Sequence, residues 1–430
     1  MRLTFNEDVI ALLGLIRSEL ESGQALYIVG GAVRDALLGR KLHDLDFASP
    51  DNPSALAKKI AKRLNAGYFL LDDERHTARV VHHTPEGDLF PLDFVQFTGS
   101  TLAEDLANRD FTVNAMAVSL RDLMDLIDPM KGREDLADRV LRPCSSQALL
   151  DDPVRSLRAI RLALQFNLAY AAGLADLMRE AAAHLPETSY ERQRDEFFRI
   201  LAGPDPAQGM ADCRQYRIFD TLIPPLVEET LVPASPPHIY PLYEHTLKTV
   251  EYYDVILSHI AEKEADGSAP WWQQAMIESL SEFSHYISAY FAEEITLGRS
   301  KRSLALLGAL LHDVGKPQTV EMGEDGRLHF YNHASIGADI TWDAAKRLQL
   351  SNAESEWLRK FVQFHHFGHI LSINPDNLPS RQSIYRFFTK SEDVGVAIAL
   401  FSLADTLSTL DETLSKDKWE KAVTISRSLL

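Results

Sequence analysis

Leu26-Tyr27-Ile28-Val29-Gly30-Gly31-Ala32-Val33-Arg34-Asp35 is the stretch on which the reading of this chain turns. A short apolar run feeds two glycines and then an amphipathic segment. That order predicts a strand, a tight turn and a helix N-terminus, where backbone N–H groups can face a phosphate. Arg34 adds a guanidinium fork for the same oxygens. Shortly after it comes Asp44-Leu45-Asp46. The segment Leu45-Asp46-Phe47-Ala48 reads as a strand, and strand alternation aims both carboxylates to one side. Two aligned carboxylates beside a phosphate cradle are what Mg²⁺-dependent phosphoryl or nucleotidyl transfer needs.

Three further segments carry polar groups in ordered positions. In Asn108-Arg109-Asp110-Phe111-Thr112-Val113-Asn114-Ala115-Met116-Ala117, a helix starting near Asp110 would place Asn114 one turn on, with Val113, Ala117 and Val118 toward a core. In Asp151-Asp152-Pro153-Val154-Arg155-Ser156-Leu157-Arg158-Ala159-Ile160-Arg161, Pro153 fits a first helical turn capped by Asp152. Arg155 and Arg158 then share a face opposite Leu157, Ile160 and Leu164, and two adjacent guanidiniums suit a triphosphate. In Tyr190-Glu191-Arg192-Gln193-Arg194-Asp195-Glu196, a helix would carry Arg and carboxylate side chains together. A carboxylate accepts from an exocyclic amine while an Arg donates to ring acceptors, so such a pair can imitate a base-pairing edge.

With these residues in order, the chain resembles the tRNA nucleotidyltransferase and bacterial poly(A) polymerase family, a branch of the polymerase-beta-like nucleotidyltransferases. The glycine-glycine-x-x-Arg-Asp and Asp-x-Asp elements resemble its first signature, and the three segments above its second, third and fourth. The second is usually written with two Arg before the Asp; here Asn108 stands first, leaving Arg109 as the cation. The resemblance implies Mg²⁺ at Asp44 and Asp46. It implies a third carboxylate at Asp93, to take the proton of an attacking 3′-hydroxyl or complete the metal shell. Gly30, Gly31, Arg34, Arg109, Asp110, Asn114, Asp152, Arg155 and Arg158 are the implied nucleotide-binding residues, with Arg192, Arg194 and Asp195 as candidates for the base template. The implied partners are tRNA and ATP and/or CTP.

The C-terminal part has a separate pattern: His245, His312-Asp313, His333, His365-His366 and Asp405. His312-Asp313 closes an apolar helix containing Leu304, Leu307, Leu310 and Leu311, and Val314-Gly315-Lys316 follows. This order resembles the HD metal-dependent phosphohydrolase superfamily. The resemblance implies metal ligands at His245, His312, Asp313, His333, His365 and Asp405, with His366 able to replace His365. Imidazole and carboxylate ligands without Cys suit a divalent ion such as Mn²⁺, Ni²⁺, Fe²⁺, Zn²⁺ or Mg²⁺.

Composition bounds the rest. A chain of 430 residues exceeds one core, and 45% hydrophobic with 25% charged residues is usual for a soluble globular protein. No apolar run of about 18 residues and no secretory leader are visible, so no membrane partner is expected. Two cysteines without CxxC point to a reducing cytoplasm. The net charge of −18 argues against a general nucleic-acid coat. Between Arg139 and Asp220, however, 11 Arg balance 11 acids with no Lys, which favours bidentate recognition over diffuse attraction.

The expected fold is α+β. A polymerase-beta-like nucleotidyltransferase head with a small mixed sheet (1–150) precedes an all-helical neck (151–235) and a helical HD domain (236–430). Pro-rich Leu231 to Pro237 is the linker candidate, and Glu262 to Arg302 reads as an insertion. The expected activity is addition of CMP and/or AMP to tRNA 3′ ends. Two alternatives stay open: a poly(A) polymerase, many of which carry a basic C-terminal tail that this chain ends without, and an HD phosphohydrolase with an RNA-binding head. Full CCA-adding members usually have a flexible Arg-containing loop between the third carboxylate and the second signature. Here Phe94 to Asn108 holds no Arg and no Lys, which favours partial CC- or A-addition, with full CCA-addition as the alternative. No feature of the sequence reports the oligomeric state.

Overall fold

The computed structural model describes residues 3–73, 76–84, 87–260, 267–324, 326–367 and 378–430. They form two compact units, Met1–Arg155 with Phe166–Ala181, and Ser156–Gln165 with Ala182–Leu430.

The first unit is built on a seven-stranded mixed sheet. Its strands are β1 (Tyr27–Val29), β2 (Leu45–Ser49), β3 (Gly67–Asp72), β4 (Thr77–His83), β5 (Leu89–Gln96), β6 (Ala117–Ser119) and β7 (Asp122–Ile127), in the spatial order β3-β4-β5-β2-β1-β6-β7. The short helix Gly31–Leu37 follows β1 directly, as the glycine turn predicts. The helix Ser54–Leu64 buries Leu56, Ala57, Ile60 and Ala61 while its Lys and Arg side chains stay outside, and Asn65 ends it in the left-handed conformation. At the centre, β2 and β5 run parallel and the Phe47 and Phe94 rings stack at 4.9 Å.

Two local expectations are corrected here. No helix starts at Asp110; a single 3₁₀ turn, Thr112–Asn114, leads into β6. The backbone groups there are used elsewhere. The Phe111 N–H donates to Asp110 Oδ1, the Thr112 N–H to Arg142 O, and Met116 O accepts from the Gly30 N–H. The helix after Asp152 is Arg155–Phe166 and starts two residues later than Pro153, with the Asp152 carbonyl accepting the Arg155 N–H at 3.0 Å.

Among the described residues the second unit is helical apart from two small hairpins, Glu294–Thr296 with Arg299–Ser300 and Val320–Met322 with Leu328–Phe330. The helix Val394–Leu410 has the length and hydropathy of a membrane span over the window 394–413, yet 67% of that window is buried inside the unit. It packs against Leu242–His259, with Tyr253 and Phe401 in edge contact, as a core helix. Of the expected insertion, residues 262–266 lie outside the described residues. Its helices Trp271–Leu280 and Ser284–Ala292 bury Met276, Leu280 and Ile287, and the Trp419 indole donates to Trp272 O at 2.8 Å, so this stretch contributes core.

Candidate functional site

Three neighbouring strands set a row of charged side chains in the first unit. Asp46 on β2 is opposite Asp93 on β5, and Asp93 is opposite Arg79 on β4. Register partners point to the same face, so the three side chains line up across the sheet. Arg79 donates from Nε to Asp93 Oδ1 and from Nη2 to Asp93 Oδ2, both at 2.7 Å. Arg79 was not legible as a site residue, because only strand register brings it to Asp93. Asp44 stands just before β2; burial of its carboxyl and then the Asp93 and Asp35 charges raise its pKa. The hard oxygen donors of this row fit a divalent cation such as Mg²⁺.

Gly30 borders this row. It has φ +73, which an L side chain rarely adopts, and a β-carbon there would stand 3.1 Å from Arg109 Nη1 and 3.3 Å from Asp46 Oδ2. The glycine therefore lets the turn fit between a guanidinium and a carboxylate. Arg109 is held by Asp105 at 3.2 Å.

The remaining first-unit candidates form a support for the turn. Arg34 is buried, grips Asp35 with two bonds of 3.0 Å, donates to Asn114 Oδ1 at 2.5 Å and lies over the Phe166 ring. Asn114 in turn donates to Asp110. Gly31 leaves room for Arg34, whose Nη2 lies 3.3 Å from where a β-carbon would be. Arg155 donates to the carbonyls of Ala148 and Asn108 at 2.9 and 3.2 Å and stands 3.8 Å from Asp152. It thereby ties down the segment that carries Arg109.

In the second unit, Ser189 caps the helix Tyr190–Leu201 by accepting from the Arg192 N–H. Arg194 is bound to its neighbour Asp195 at 2.9 Å and to Gln349 O, while Arg192 is exposed. The buried Glu196 receives Arg161 at 2.6 Å and Arg199 at 3.1 Å, with Arg158 at 3.7 Å. Arg155 and Arg158, predicted as a pair, thus have different partners. Arg161, Glu196 and Arg199 were missed, although all three stand inside the quoted segments or their immediate continuation.

The HD residues converge from separate helices. Asp313 presents Oδ2 to His312 at 3.0 Å and His245 at 3.7 Å, and Oδ1 to His333 at 3.6 Å and His365 at 3.7 Å. Two sets, His245-His312-Asp313 and Asp313-His333-His365, each gather their ligand atoms within 4.8 Å. Asp405 stands 3.3 Å from His245. His365 is buried in this cluster, whereas His366 is exposed.

The donor set fits a divalent metal. Nδ1 of His312, His333 and His365 meets the carbonyls of Ala309, Phe330 and Val362. A proton on each Nδ1 leaves the Nε2 lone pair facing inward, the arrangement of metal-ligating imidazoles. His245 Nε2 and His312 Nε2 then approach to 3.3 Å. Burial pushes the His365 ring down to about 3 and keeps it neutral. Although burial opposes it, His312, Lys316 and His333 hold the Asp313 carboxyl well below the usual range.

Lys316, absent from the predicted ligands, donates to Asp313 Oδ2 at 2.5 Å. It lines a narrow opening with His238, Tyr240 and Phe330. Gly315 is required beside it, since a β-carbon there would stand 2.2 Å from His333 O.

Residues 26–142 match the poly A polymerase head domain, 172–229 a probable RNA and SrmB-binding site of polymerase A, and 284–410 an HD domain. The chain is 31% identical over 366 residues to the A-adding tRNA nucleotidyltransferase of Deinococcus radiodurans, spanning 84% of this chain and 72% of the relative. It is also 31% identical over 406 residues to the CC-adding tRNA nucleotidyltransferase of Thermus thermophilus, spanning 91% and 78%. A solved complex of a CCA-adding enzyme with ATP shares the fold, with a TM-score of 0.63 at 21% identity over 97% of this chain and 81% of that one.

Proposed function

The chain belongs to the tRNA nucleotidyltransferase family, and on that premise we propose that it adds CMP or AMP to tRNA 3′ ends, making part of the CCA terminus. The observation that carries the transferase reading is the row Asp46-Asp93-Arg79 beside the Gly30 turn. When bound, Mg²⁺ supplies charge stabilisation at the reacting phosphate and lowers the cost of forming the attacking alkoxide. Asp44 and Asp46 hold it, with oxygen ligands suited to a hard cation. Asp93 accepts the proton of the 3′-hydroxyl, and Arg79 keeps its carboxylate in one orientation. Arg109 faces the triphosphate, and Arg34, Asp110 and Asn114 hold the glycine turn in place for it. The neck residues Asp152, Arg155, Arg158, Arg192, Arg194 and Asp195 complete nucleotide binding and base choice.

The segment between Asp93 and Arg109 supports partial addition. It runs from the end of β5 into a short helix, Leu102–Ala107, capped by Thr101 and tied by Thr98 N–H to Asp105, Ser100 N–H to Glu104 and Asn108 to Thr98 O. Such a segment is poorly suited to levering the base template between C and A. The division of labour follows 1–150, 151–235 and 236–430, and the reaction takes place in the cytoplasm, where tRNA and nucleoside triphosphates meet.

The HD centre is proposed to hydrolyse phosphoesters with Mn²⁺, Ni²⁺, Fe²⁺ or Mg²⁺, acting on 2′,3′-cyclic phosphates or phosphomonoesters at damaged RNA ends. The shared Asp313 supports this reading, since one carboxylate addresses both histidine sets.

Incubation of the purified protein with tRNAs ending before CCA or after CC, supplied with one labelled nucleotide at a time, tests the proposal. Incorporation of C residues only, or of a single A only, is expected, and Asp46→Ala should abolish it. Completion of CCA on a tRNA with none overturns the partial reading. A long A tract points to a poly(A) polymerase instead, and no incorporation ends the transferase assignment.

A further inference from the structure

Arg161 and Arg199 line a cleft of about 450 Å³ in the second unit with Leu164, Gln165, Ile200 and Pro204. None of the described residues lining it is acidic. Beneath it lies the buried Glu196, which receives both arginines, with Arg158 close by. More than one guanidinium therefore shares one carboxylate, and the wall they form carries positive charge beyond what Glu196 offsets. Burial lowers the Arg161 pKa, the Glu196 charge and hydrogen bond raise it, and the Arg158 and Arg199 charges lower it again. A second anion at the open end of the cleft would relieve this repulsion.

From the guanidinium wall and the cleft it borders, we propose that this cleft binds a backbone phosphate of the RNA substrate, at a place separate from the reacting 3′ end. The inference rests on the transferase reading and adds to it a site that orients the RNA. Arginine forks match phosphate oxygens bidentately, and the volume suits one nucleotide, with Leu164, Ile200 and Pro204 as an apolar wall for its sugar or base. Arg199 lies five residues past Arg194 on the same helix, about 7.5 Å along its axis, so the cleft is distinct from the proposed base template. In a chain of net charge −18, attraction for RNA has to come from such local clusters rather than from an overall field.

Two variants test the cleft without touching the proposed catalytic or nucleotide-binding residues. Arg199→Ala removes an exposed guanidinium, and Ala202→Trp, at a residue that also lines the cleft, fills it while leaving its charge unchanged. The readouts are KM for tRNA, KM for the incoming nucleotide, kcat at saturating tRNA and the salt dependence of equilibrium tRNA binding. Both variants should raise KM for tRNA about three- to tenfold at unchanged nucleotide KM and kcat, and Arg199→Ala should reduce the log–log salt slope by about 1. Wild-type values of tRNA KM and salt slope in both variants overturn the proposal. A change confined to nucleotide KM overturns it too, in favour of a mononucleotide site. The salt slope is read from binding alone, so a wild-type protein that transfers no nucleotide while the slope still changes would sink the transferase reading and leave the cleft standing.

Discussion

Arg79 and Asp93 face each other across antiparallel β4 and β5 and are joined by two parallel hydrogen bonds of 2.7 Å. On its other side Asp93 has Asp46 in register on parallel β2. A carboxylate beside a second carboxylate would repel it and turn toward solvent, and the guanidinium fork fixes it instead.

Replacing Arg79 should therefore impair chemistry rather than folding. Arg79→Ala is expected to slow single-turnover nucleotide incorporation about 10- to 100-fold at unchanged KM for tRNA, the cost of a misplaced reacting group. Arg79→Lys should recover part of the loss. Wild-type turnover in Arg79→Ala would show that Asp93 needs no orientation from this side.

Gly30→Ala meets two obstacles at once, a φ of +73 and contacts of 3.1 and 3.3 Å to Arg109 and Asp46. The strain should cost about 1–3 kcal/mol of stability. Displacement of Arg109 and Asp46 should lower incorporation more than the drop in Tm alone explains. Circular dichroism melts together with incorporation assays check both effects.

The HD sets make a stoichiometric prediction. Because Asp313 serves both, Asp313→Ala should empty both positions after equilibration with Mn²⁺ or Ni²⁺, while His365→Ala should empty one. Metal analysis of dialysed protein decides the matter, and a full metal complement in Asp313→Ala would contradict the shared role.

Glu229 gives a pH signature. It is fully buried beside Thr246, its Oε1 has no hydrogen-bond partner, and burial pushes its carboxyl up to about 8 from an ordinary 4.5. The folded state holds the proton more tightly than the unfolded chain does. This contribution to stability is complete below about pH 4.5 and is lost as pH rises through about 8. Glu229→Gln should remove that dependence, melting a few degrees above wild type near pH 9 and close to it near pH 5.

The sequence made some of this arrangement legible and hid the rest for identifiable reasons. The strand carrying Asp46 is legible because strand alternation is local, although Asp44 stands just before it, and the HD histidines are legible because their order along the chain survives folding. Arg79 occupies an ordinary alternating strand, and nothing nearby marks it; its meaning comes from register with a strand that follows a hairpin later. Around Asn114 the apolar pattern of the sequence is helical. The turn forms instead because Gly30, Asp110 and Arg142 take the backbone groups a helix would have used. Glu196 reads as one acid in a charged helix, and only the packing of Arg155–Phe166 against Tyr190–Leu201 makes it a hub for arginines.

Asp46 and Asp93 sit side by side only because β2 and β5 pair in parallel, while β2 pairs antiparallel with β1 and β5 with β4. A parallel pair cannot be closed by a hairpin; here the helix Ser54–Leu64 and two further strands intervene. The carboxylate row is accordingly among the last things the head can assemble during refolding, since the long loop has to close before the pairing rewards it. Until that pairing closes, Asp46 on β2 has no Asp93 beside it.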